Sequence, residues 1–188
     1  NIYGGTTGAT LNLNGFTTVS GNNIQAGNTS GDRAMVNITT NVTTTNKLLV
    51  GYAGGSAGAV IQNGGSVIIG SGLGGTAYLS MSMNGSAYGY YRINGGQLIT
   101  GQLGIKGSGG GNGVFEQNGG TVLVNGGYFL FWGTGNGVMT IFNGSITNSS
   151  GNDVLLGWSA GVNFETINLL NNGLLDSTPT GKNVDMMK

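Results

Sequence analysis

The stretch VFEQNGGTVLV (114–124) decides how this chain folds. Two apolar, alternating runs flank Asn118-Gly119-Gly120, and an Asn-Gly pair in that setting is the strongest short-range signal for a β-hairpin. The phrase recurs, however, as VIQNGGSVII (60–69), YRINGGQLIT (91–100) and TIFNGSIT (140–147). With the Asn that opens each corner as a marker, the series is Asn14, Asn37, Asn63, Asn94, Asn118, Asn143 and Asn171, at spacings of 23, 26, 31, 24, 25 and 28. An alternating strand precedes each marker and another follows it. A third short strand then ends in Gly, as in LLVG (48–51), LGIKG (103–107), FLFWG (129–133) and VLLG (154–157).

Three strands per repeat settle the choice. If every corner reversed the chain, an odd number of strands would make successive repeats antiparallel, and equivalent motifs could not stack. If every corner turns the chain by about a third of a circle, one repeat closes one coil, and equivalent residues stack at the strand spacing of roughly 4.8 Å. A propeller blade needs four strands and about 40 residues. The reading is therefore an all-β, single-domain parallel β-solenoid of about seven coils, each of about 25 residues with three short strands. Residues 1–178 form the solenoid, with an irregular or inserted coil near 71–93, and 179–188 form a tail expected to contact a neighbouring subunit. Asn tolerates a left-handed backbone, and stacked amides form ladders, so the seven marker Asn are read as a corner ladder.

Counting back from each marker, the odd positions look inward and the even ones outward. Gln62 and Gln117 are exceptions to that apolar inward set. After the marker, Val67, Leu98 and Val122 share one column. On the third strand Leu49, Ile105, Phe131 and Leu155 are expected to share another. Arg92 and Glu116, 24 residues apart, fall in one outward column and are expected to form an exposed ion pair.

Composition bounds the function. Of 188 residues 41 are Gly, but apolar alternation argues against disorder, and there is no Gly-X-Y period of collagen. Six basic and six acidic residues give net charge zero, with no basic stripe for nucleic acid. Near-zero charge favours association. There is no Cys and no His, hence no thiolate chemistry, no disulfide and no His-based triad or metal site. No apolar run is long enough to span a membrane as a helix. The chain begins with Asn1, read as a processed or excised chain, an expectation that leaves room for a signal peptide outside this sequence.

The phrase GNGVFEQNGGTVLVNGGYFLFWGTGNGVMTIFNGS (111–145) resembles the Gly-rich β-strand repeats of bacterial cell-surface proteins, including autotransporter-associated repeats and repeats of proteins with a PEP-type sorting signal. The resemblance covers roughly 47–178. It implies a right-handed β-helix outside the cell or on its surface, serving adhesion, matrix or display. No C-terminal apolar anchor or barrel is visible, a departure from that pattern.

Chemistry has little material. Lyases and hydrolases on β-helices need clustered carboxylates, whereas Asp32, Glu116, Asp153, Glu165, Asp176 and Asp185 are scattered, with only Asp153 and Asp176 candidates for a shared column. GSGLGG and GSGGGNG lack the following Lys-Ser/Thr of a phosphate loop. NITTNVTTTN (37–46) is not repeated in later coils, as an ice-binding array requires. No catalytic residue, cofactor or metal is assigned. The contact candidates are aromatic: Tyr52, Tyr88, Tyr90, Tyr128, Trp132 and Trp158, since aromatic faces stack on sugars and anchor interfaces. The leading expectation is an extracellular structural protein that polymerises with itself. A monomeric adhesin binding extracellular polysaccharide is the alternative, and a degenerate polysaccharide lyase or hydrolase the third.

Overall fold

The computed structural model describes residues 5–15, 17–19, 23–70, 77–106, 109–156, 164–177 and 184–186. Along these the regular elements are all strands, joined by turns and bends, and every strand pairing is parallel. The first coil holds β1 (Ala9–Leu13), β2 (Thr17–Val19) and β3 (Asn23–Ala26). The second holds β4 (Arg33–Ile38), β5 (Val42–Thr44) and β6 (Lys47–Val50), and the third β7 (Ala57–Gln62), β8 (Ser66–Ile69) and β9 (Tyr78–Met81). Next come β10 (Tyr88–Ile93), β11 (Gln97–Thr100) and β12 (Gln102–Gly104), then β13 (Asn112–Gln117), β14 (Thr121–Val124) and β15 (Phe129–Leu130). The last two coils run through their first corner as single strands, β16 (Asn136–Asn148) and β18 (Phe164–Asp176), followed by β17 (Val154–Leu156) and β19 (Val184–Met186).

Each strand pairs with its counterparts one coil away. β13 lies between β10 and β16, and β14 between β11 and β16. VFEQNGGTVLV is thus a corner between two faces of a β-solenoid and not a hairpin. The third face stacks seven strands in the order β19-β17-β15-β12-β9-β6-β3, six steps from end to end. The second Gly of the corner is required twice over. Gly120 has φ +75°, and a Cβ there would lie 2.4 Å from the Gly96 carbonyl oxygen of the coil below.

Period-2 alternation puts one side-chain set into the lumen. On the first face Val36, Val60, Tyr91, Phe115 and Met139 form one buried column. The Tyr91 and Phe115 rings stack in it, with centroids 5.7 Å apart and planes within 7°. On the second face Val42, Val67, Leu98, Val122 and Ile146 continue the core. Gln62 and Gln117 also point inward and are fully buried, in the column of Ile38, Ile93 and Ile141. They stay there because their amides bind corner carbonyls. Gln62 Nε2 donates to the carbonyls of Gly65 (3.3 Å) and Gln97 (3.0 Å), and Gln117 Nε2 to those of Gly120 (2.9 Å) and Ser145 (3.2 Å).

Several expectations need correction. Asn37 is not a corner residue. It sits inside β4 paired with Asn12, and because Leu13 pairs with Ile38, that corner opens at Thr39. Asn143 lies one residue past the Asn118 column, since Gln117 pairs with Ile141. Asn171, at φ +49°, lies where the β16–β18 register slips by one residue. On the third face Val50 and Met81, not Leu49, occupy the column of Ile105, and Leu155 pairs with Leu130 rather than Phe131. The extra length between Asn63 and Asn94 falls between β8 and β9, with β9 and β10 themselves in register. Residues 71–76 of that stretch lie outside the described residues. Val184–Met186, expected in a tail beyond the solenoid, pairs with β17 of the same chain as the last strand of the third face.

Candidate functional site

The outer side of the first face and the two end edges of the solenoid hold most of the candidate contacts, with Tyr128 and Trp132 exposed on the third face.

On the first face Arg92 and Glu116 are register partners, with Nε and Oε1 3.6 Å apart. Tyr90 Oη donates to Glu116 Oε2 at 2.7 Å, and Arg92 Nε donates to Asn94 Oδ1 at 2.9 Å. Burial, reinforced by the bond to Glu116 and by its charge, pushes the Tyr90 hydroxyl up to about 12. At the corner Asn94 Nδ2 donates to Asn63 Oδ1 (2.7 Å) and Asn118 Nδ2 to Asn94 Oδ1 (3.1 Å). With its amide turned over, Asn118 instead accepts from Arg92 Nε (2.8 Å) and donates to Glu116 Oε1 (3.2 Å). The marker ladder therefore links Asn63 to Asn94, and Asn118 stands over the Arg92–Glu116 pair at the same corner. Asn14 follows β1 and is exposed, and Asn37, Asn143 and Asn171 stand outside the ladder. Two ladders were not anticipated: Asn37 Nδ2 to Asn12 Oδ1, and Asn136 Nδ2 to Asn112 Oδ1, both 2.8 Å. The signal for them was the repeat spacing, 25 and 24 residues.

The aromatic candidates do not form one patch. Tyr88 and Tyr90 lie on β10 of the first face, and Tyr88 walls a cleft of about 390 Å³ floored by Ala57 and Ala59, with Arg33 and Met35 opposite. Tyr128 and Trp132 flank β15 on the third face and are partly exposed. Tyr52 is half-buried at the end of β6. Trp158 lies outside the described residues.

Acidic side chains are not gathered. Asp32 is held by Thr29, whose amide and hydroxyl donate to Oδ2 at 2.8 and 2.7 Å, and these bonds keep its carboxyl below the usual range. Asp153 precedes β17 on the third face and Asp176 ends β18, so they share no column. Glu165 was missed as an interior residue. It pairs with Gly137, in a column that otherwise holds Ala34, Gly58, Gly89 and Gly113. Its carboxylate meets Lys106 Nζ, which is fully buried and donates to the Gly135 carbonyl at 2.9 Å. Among the described residues no group of three or more acidic, His or Cys side chains could hold a metal, and no helix is long and apolar enough to cross a membrane.

The end edges differ from the rest of the molecule. In β18 Leu169 and Leu174 are each 52% exposed, Phe164 72% and Leu170 43%, although Leu169 continues the lumen column of Ile141. At the other end Leu11, in the column of Val36, is 39% exposed. Among the described residues neither β18 nor β1 has a strand on its outer side.

No family model matches the chain, and no curated protein or solved structure shows significant similarity to it.

Proposed function

We propose that this chain is an extracellular or surface-located structural subunit whose β-solenoid self-assembles head to tail into a filament. The observation that carries this reading is the exposed apolar outer edge of β18. Lumen-column side chains such as Leu169 stand in solvent there, and among the described residues no strand lies on that side of β18. Such an edge is a template for another strand, and stacking the opposite ends of identical solenoids is a heterologous contact that yields an open fibre. The resemblance of 111–145 to bacterial surface repeats supports the location.

Negative-stain electron microscopy and light scattering over a concentration series test the proposal. Filaments are expected above a threshold concentration, and Leu169→Lys is expected to raise that threshold by placing a charge in the stacking column. Dispersed monomers at every concentration contradict it. The cleft beside Tyr88 favours a second reading, a polysaccharide-binding surface module, which a glycan array tests directly.

A further inference from the structure

Resting on that reading of end-to-end assembly, we propose that the junction is a parallel, in-register continuation of all three faces, in which β1, β2 and β3 of one copy lie on β18 and β19 of the copy before it. The internal register fixes the partners. Ala9 stacks through Ala34, Gly58, Gly89, Gly113 and Gly137 to Glu165. The next copy's Ala9–Leu13 therefore falls on Glu165–Leu169, residue for residue. By the same tracing Thr17 and Thr18 fall on Leu175 and Asp176. Ile24–Ala26 falls on Val184–Met186.

Side-chain chemistry at the two edges matches this register. Leu11, 39% exposed, lands on Ile167, and Leu13 lands on Leu169, 52% exposed. Apolar columns open at both ends are thereby closed. In the outward column Asn12 lands on Asn168. In four pairs on this side an amide of the later coil donates to the earlier one. Asn37 Nδ2 donates to Asn12 Oδ1, Asn94 to Asn63 and Asn136 to Asn112, and Asn168 Nδ2 donates to Thr140 Oγ1 at 3.2 Å. Among the described residues no strand lies before β1 for Asn12 Nδ2 to donate to, and none lies beyond β18 to donate to Asn168 Oδ1. The two ends are complementary, as a ladder rung requires. A two-fold arrangement, tail against tail, pairs the first face with itself antiparallel but sets the second face against the third, whose strands differ in length and register. It also leaves the Asn12 edge open. The occupant of each edge is thus a second copy in the same polar orientation.

The chain has no Cys, so introduced pairs report the junction cleanly. Asn12→Cys with Asn168→Cys places thiols on directly stacked strands, about 4.8 Å apart. Asn12→Cys with Thr166→Cys displaces them by two residues to about 8 Å, beyond the roughly 7 Å reach of a disulfide. Mild oxidation followed by a non-reducing gel is expected to give a covalent ladder for the first pair and none for the second. Thr10→Cys with Thr166→Cys, both on the outward side, repeats the in-register test at another rung. Mixed single-Cys chains, one Asn12→Cys and one Asn168→Cys, should give heterodimers only. Filaments with an off-register ladder, or with no ladder from either in-register pair, overturn the register and leave assembly standing. A dimer cross-linked through a lone Thr166→Cys establishes the two-fold arrangement and overturns the proposal. Monomers throughout, with the β signal of circular dichroism intact, overturn both readings.

Discussion

The two lumen glutamines make unequal predictions from almost identical settings. Both are fully buried, and both donate to two corner carbonyls. They differ at the oxygen. Gln62 Oε1 accepts from the Tyr91 hydroxyl at 2.7 Å, whereas Gln117 Oε1 is buried with no partner. Gln62→Leu strands the Tyr91 hydroxyl in an interior where an unsatisfied polar group costs about 1–3 kcal/mol. It also loses the bond to the Gln97 carbonyl, worth about 1 kcal/mol. The Gly65 carbonyl keeps the Gln97 amide at 2.9 Å. Gln117→Leu loses comparable carbonyl bonds but removes an oxygen that already lacked a donor. The Gln62 variant should therefore be the less stable of the two by about 1–3 kcal/mol. Tyr91→Phe alone orphans Gln62 Oε1 and should cost about 1 kcal/mol. The double variant Gln62→Leu with Tyr91→Phe removes both partners, so its cost should fall short of the sum by about 1–2 kcal/mol. Urea unfolding followed by far-UV circular dichroism, at one fixed protein concentration, measures all four. Equal losses for the two glutamine variants, or strict additivity in the cycle, would refute the bracing role assigned to Gln62.

Further outcomes follow from other contacts. Gly113→Ala should prevent folding or cost more than about 3 kcal/mol, because its Cβ would sit 1.5 Å from the Ile105 carbonyl oxygen, while Gly15→Ala, with nothing within 4 Å, should shift stability by less than about 0.5 kcal/mol in the same assay. Lys106→Met leaves Glu165 buried without its cation and should cost about 3–5 kcal/mol, whereas Lys106→Met with Glu165→Leu should recover most of that loss in thermal unfolding. The Tyr90 hydroxyl, raised to about 12 by burial and Glu116, contributes stability that is full below its ordinary value near 10 and is lost as pH climbs from about 10 to 12. Tyr91, raised further by burial alone, acts in the same direction. Glu116→Gln should bring the Tyr90 transition in an ultraviolet pH titration back toward 10, with under about 1 kcal/mol lost at neutral pH because the Arg92 pair is exposed.

The coil was legible in the sequence because two independent signals agreed. The Asn-Gly-Gly corner recurs at 24–31 residues, and an odd strand count excludes a meander. That alignment also put Arg92 beside Glu116 and Val122 over Leu98, as the register has them. What escaped were positions where one residue type serves two places. Asn works both at corners and in outward ladders, so Asn37 resembled a corner while standing beside Asn12 in mid-strand. Between β13–β14 and β16 the register is the same on both sides of the corner, so Phe142 takes the place of Asn118 and Asn143 falls one step beyond it, while Asn171 has its left-handed backbone where the β16–β18 register slips. Polarity also misleads inside a narrow lumen. Gln62 and Gln117 are interior because backbone carbonyls accept their amide N–H groups, and Glu165 because Lys106 reaches it. Gln117 and Ser145 lie 28 residues apart, Gln62 and Gln97 35, and Lys106 and Glu165 59, and only the three-dimensional register brings them together. The end edges are a property of the stack and have no local signature.

Helical reconstruction of assembled chains by cryo-electron microscopy tests the central claim most directly. With seven strands stacked per molecule on the third face, uninterrupted continuation requires an axial rise of about 34 Å per subunit at the usual strand spacing, with every subunit pointing the same way. A doubled repeat of about 67 Å with a dyad, or single particles one solenoid long, would contradict it.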